Sequence, residues 1–112
     1  MKRYLATLFL AALSALTMAS VVVDRSGTVA TAGTSQQAMA ARTSRTYLMC
    51  QNPTTATTPL FVNIDAAAAT TGGSIELAAG GSITFHGTAF IPTGVVNVTS
   101  ATQGAKYVCK EG

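Results

Sequence analysis

Side chains able to do chemistry are scarce in this sequence, and their spacing decides how far each can be taken. His86 is the only histidine. Nothing near it has the spacing of a nucleophile and base or of a metal-ligand set, and a catalytic assignment requires such convergent partners. Asp65 and Glu76 would meet only across adjacent strands, and no motif supports a two-carboxylate pair of the glycosidase kind. Each reads as a solvated or turn residue. Gly72-Gly73 and Gly80-Gly81 lack the Lys-Ser or Lys-Thr and the helix that a phosphate cradle uses, so they read as turns. Asn97-Val98-Thr99 matches a glycosylation sequon inside an expected strand, a pattern frequent by chance. The expectation is a protein that is not an enzyme, with no catalytic residue, cofactor or metal.

Cys50 and Cys109 are the informative pair. Three states fit them. An internal disulfide would contribute roughly 2–4 kcal/mol by restricting the unfolded chain. Two free thiols would be small buried apolar groups, and a bond to a neighbouring subunit is the third state. No C-x-x-C spacing points to metal or redox catalysis. Phe61, Phe85, Phe90 and Tyr107 would line an apolar pocket if a small ligand bound, with core packing the plainer role in so small a domain.

The elements that must position these residues are strands. The chain has 112 residues, 10% of them charged and none Trp. It is rich in Ala, Thr, Gly and Val, which suits pleated strands and tight turns. Short β-prone runs separated by turn residues fall at 21–24, 27–32, 35–40, 45–51, 59–64, 74–78, 82–86, 95–99 and 105–110. That spacing predicts an all-β fold, a small antiparallel sandwich or barrel. The run 45–51 carries apolar residues on both faces and predicts a central strand buried on both faces; Asn52-Pro53 ends it, because Pro lacks the ladder donor. The runs 74–78 and 82–86 predict a hairpin across Gly80-Gly81. Residues 66–71 are too poor in large side chains to form core. The organisation expected is a leader at 1–20, a linker with the first strands at 21–33, and a β-domain at 34–112.

The net charge of +3 includes Lys2 and Arg3, and the other charges nearly cancel. Without a cluster of Lys and Arg there is no phosphate-binding surface, so nucleic acid is not an expected partner. After Lys2 and Arg3 comes the uncharged run 4–16 and then small or polar residues at Thr17, Ala19 and Ser20, the order of a secretory signal peptide. The run is shorter than the roughly 20 residues of a bilayer crossing, so membrane contact would be transient. The second reading is an assembly arm. In it, a short apolar helix lays Leu5, Leu8, Phe9 and Leu13 as a stripe against a partner.

With the strands placed, the segment from Thr34 onward resembles the small β-domain virion proteins of tailed bacteriophages, of the head-decoration and head-fibre type. The landmarks are Ser35-Gln36-Gln37-Ala38, then Arg45-Thr46-Tyr47-Leu48-Met49-Cys50-Gln51-Asn52-Pro53, then Pro59-Leu60-Phe61-Val62-Asn63. Ser74-Ile75-Glu76-Leu77-Ala78-Ala79-Gly80-Gly81-Ser82 and Gly94-Val95-Val96-Asn97-Val98 follow, and the chain closes on Gly104-Ala105-Lys106-Tyr107-Val108-Cys109-Lys110-Glu111-Gly112. Ala78-Ala79-Gly80-Gly81 stands where a Pro-Gly-Gly turn would be more familiar, and the leader has no expected counterpart. The resemblance implies a structural component of the virion that decorates or stabilises the capsid, neck or tail. Its expected partners are the major capsid protein or other virion proteins, and further copies of itself, with a trimer favoured. The alternative is an exported bacterial β-domain, a binding module located in the periplasm or outside the cell after loss of the leader.

Overall fold

The computed structural model describes residues 21–112, so the leader and its stripe of Leu5, Leu8, Phe9 and Leu13 lie outside the described residues. Alternating burial along short runs gives nine strands and no helix among the described residues. They are β1 (Val23–Asp24), β2 (Gly27–Thr28), β3 (Gln36–Met39), β4 (Leu48–Gln51) and β5 (Leu60–Ile64). After these come β6 (Ile75–Leu77), β7 (Ser82–Phe85), β8 (Val96–Ser100) and β9 (Lys106–Glu111). Each lies within one residue of an expected run.

Two antiparallel sheets result. One has the order β1-β9-β4-β7, with β2 continuing beside β9; the other has the order β3-β8-β5-β6. The sheets share one core. Leu48, Cys50, Tyr107 and Cys109 project from the first and Met39, Leu60, Val62, Val96 and Val98 from the second, all buried. Burying each large aliphatic side chain is worth about 1.5–3 kcal/mol, which is what holds two such short-stranded sheets together.

Three expectations change. The runs 74–78 and 82–86 do not pair with each other: β6 lies on β5, whereas β7 lies on β4 in the opposite sheet. Asn52 explains the crossover. Its side-chain amide donates to the carbonyls of Leu77 and Thr58, both at 3.0 Å, and its backbone N–H donates to Gly81. Gly80, at φ 79°, turns the chain there and donates back to the Asn52 carbonyl. The connection is therefore bound to the end of β4 and carries the chain from one sheet to the other. Second, β4 is central, between β9 and β7, but only its Leu48 and Cys50 face is buried; Met49 and Gln51 stay half-exposed on a face with no layer over it among the described residues. Third, Ala68 in the 66–71 loop is buried, its N–H taken by the Ser35 hydroxyl at 2.9 Å.

Candidate functional site

The pair singled out in the sequence comes together by register. Cys50 and Cys109 are direct cross-strand partners on β4 and β9, with Cα atoms 4.2 Å apart and 59 positions between them in sequence, and their sulfurs are bonded. Flanking backbone bonds run between Tyr47 and Gly112, which leaves Cys50 and Cys109 in the narrow, non-hydrogen-bonded position of the ladder where opposed side chains lie closest. Both are buried in the core.

The same alternation along β9 delivers a feature the sequence reading missed. Tyr107, Cys109 and Glu111 all face inward, so the strand ends by burying a carboxylate. Glu111 is 2% exposed and Arg45 opposite it 0%, joined by Nε to Oε1 at 3.0 Å. Arg25 Nε donates to Oε2 at 2.9 Å, and Arg42 approaches Oε1 at 3.8 Å. The rest of the Arg45 guanidinium makes three more bonds. Nη1 donates to the carbonyls of Pro92 and Gly94 at 2.7 and 2.9 Å, and Nη2 donates to the carbonyl of Ala40 at 2.9 Å. A buried charge pair is tolerable only when its remaining donors are satisfied in this way. Burial alone would raise the Glu111 carboxyl; hydrogen bonds from Arg45 and Arg25 outweigh it and hold the group below the ordinary carboxylate range. Period-two alternation extended by one residue, from Lys110 to Glu111, is the sequence signal that turns Glu111 inward, though it does not name the arginines that meet it.

What the cluster holds is the loop between β7 and β8. Arg45 grips its C-terminal base at Pro92 and Gly94, while Arg42 donates its N–H to the Thr93 carbonyl at 2.8 Å. Asp65 closes the other side. It adopts φ 63°, a conformation rare outside Gly, and its carboxylate occupies the space that a Cβ on residue 94 would need. On this tethered loop Phe90 stands 82% exposed. Exposed aromatic side chains of this kind are enriched where proteins meet one another.

The remaining candidates disperse. Phe61 lies half-exposed on the outer face of β5, Phe85 borders the core from β7, Tyr107 is buried on β9, and Phe90 is on the loop, so the four do not form a pocket. Tyr107 instead packs against Gly27 and accepts a hydrogen bond from Gln36 Nε2 at 3.2 Å. Asp65 lies beyond β5, while Glu76 pairs with Phe61, so the carboxylates do not meet. His86 is exposed. Among the described residues no three His, Cys, Asp or Glu side chains converge. The Asn97 amide donates to the Ala66 carbonyl at 2.8 Å. An open cleft of about 290 Å³ lies between the 53–58 and 102–106 segments. Of its lining hydroxyls, Thr58 donates to Thr102 at 2.9 Å. No family model, curated protein or solved structure matches this chain.

Proposed function

We propose that this protein is a structural component of a tailed-phage virion that decorates or stabilises the capsid, neck or tail by protein–protein contact. The landmarks of residues 34–112 support the reading, and one observation carries it: Phe90, 82% exposed, stands on a loop whose base is fixed by buried Arg45. Such a surface acts by linkage. Contacts made only with the assembled shell lower the free energy of that state and slow its disruption. The partners would be the major capsid protein or other virion proteins, and the domain would act as a homo-oligomer. Mass spectrometry of purified particles from the native source is the test. The chain should appear there in multiple copies, and particles lacking it should lose their contents at lower temperature. Absence from particles would refute the reading.

A second reading has its own support. The buried Cys50–Cys109 bond suits an oxidising compartment, as an exported bacterial binding module would occupy. In that case the chain would be recovered from the periplasm or medium, lighter by the leader and oxidised.

A further inference from the structure

The sheets have free edges, and proteins blunt such edges because unpaired N–H and C=O groups template further strands. Three edges here are blunted. β1 and β2 are two residues each and flank Asp24, Arg25 and Ser26. β3 carries a register shift between Gln37 and Met39. β6 is three residues long and bears Glu76. The fourth edge, β7, has no such device: Ser82–Phe85 is uncharged, free of Pro, and in unbroken register with β4.

Its outward groups can be assigned. Asn52 donates to Gly81 across the β4–β7 ladder, so Gly81, Ile83 and Phe85 turn their backbone groups toward β4. Ser82, Thr84 and His86 therefore turn theirs outward, and among the described residues none of these groups has another partner. All three side chains are exposed. Ile83 and Phe85 pack on the core yet remain half-exposed, the open margin of the apolar layer.

We infer that β7 is the contact between two copies of this chain, paired antiparallel about a two-fold axis beside Thr84. This register satisfies both requirements of a ladder. Thr84 exchanges N–H···O bonds with Thr84 of the second copy, and Ser82 does so with His86 on either side. Opposed residues keep the same face, so Ile83 meets Phe85 of the second copy over the core, where each covers the other's exposed part. No charged Lys, Arg, Asp or Glu meets its like. An isologous contact of this kind closes on itself as a dimer. It gives an even-numbered assembly in place of the trimer favoured by the resemblance. It is independent of whether the domain sits on a particle or is exported.

The test is the molar mass in solution of the wild-type chain, by light scattering across a concentration series, with three variants. Wild type should weigh twice the denatured chain. Thr84→Lys places two ammonium groups beside the axis, and Thr84→Pro removes an N–H that does not bond β4; each should raise the dissociation constant at least tenfold while the unfolding midpoint stays within a few degrees. Gln37→Lys, on the β3 edge, should leave the dimer intact. Amide exchange supplies a readout without variants: the Thr84 amide should slow as concentration carries the protein into the dimer. A wild-type monomer at all concentrations, an oligomer indifferent to both Thr84 variants, or a Thr84 amide that exchanges freely in the oligomer would overturn the inference.

Discussion

Replacing Arg45 by Met keeps the length and apolar stem of the side chain and removes its charge and four hydrogen bonds. It leaves Glu111 buried with Arg25 at 2.9 Å and the more distant Arg42, and strips the carbonyls of Ala40, Pro92 and Gly94 of their donor. Breaking a buried pair by deleting one partner costs about 3–5 kcal/mol, against a total of roughly 5–15 kcal/mol for a small domain. The loss should depend on pH, with a sign that follows from the Glu111 carboxyl. In the wild type it is held below its unfolded value, so the stability it contributes is fully present above the unfolded carboxylate pKa of about 4.3 and is lost as pH falls through the folded value. In the variant the hydrogen bond and charge of Arg45 are gone while burial still opposes ionisation, so the folded value rises and protonation relieves the defect. The difference between the two proteins should be largest at pH 7 and shrink steadily toward pH 3. Asp24, held low by Ser26 hydrogen bonds, contributes equally to both and cancels. Urea denaturation from pH 3 to 7, analysed as a difference, is the assay. A difference under about 1 kcal/mol at neutral pH, or one that does not change with pH, would refute the account of Arg45 as the charge that holds Glu111.

Other perturbations test the remaining links. Reducing the Cys50–Cys109 bond, which spans 59 positions, should cost about 4 kcal/mol from loop closure and lower the denaturation midpoint accordingly; an unchanged midpoint on adding reductant would show that the bond contributes nothing. Gly94→Ala drives a Cβ into the Asp65 carboxylate and should destabilise by about 1–3 kcal/mol, with Asp65→Gly in the same chain restoring more than half; strict additivity of the two would deny the contact. Phe90→Ala, at an exposed loop position, should change stability by no more than about 0.5 kcal/mol yet, on the proposed virion function, abolish incorporation into particles, and normal incorporation would remove Phe90 from the contact.

Much of the secondary structure was legible because strand formation is local. The β-prone runs and the punctuation at Asn52-Pro53 and the glycine pairs locate every strand, although 27–32 and 45–51 overrun β2 and β4 by four and three residues, and those signals need only neighbours along the chain. The all-β class follows from the same features. Which strands pair does not. A Gly-Gly turn serves a hairpin or a crossover equally well, and the Asn52 amide, binding carbonyls at Thr58 and Leu77, selects the crossover through contacts distant in sequence. The state of Cys50 and Cys109 was open for the same reason, until the β4–β9 register set them opposite one another. Glu111, Arg45 and Arg25 look like ordinary surface charges in a sequence whose charges nearly cancel. Alternation carried one residue past Lys110 places Glu111 inward, but only the folded sheets carry both arginines to it, since the cost of burying a charge is met by partners that no local pattern announces.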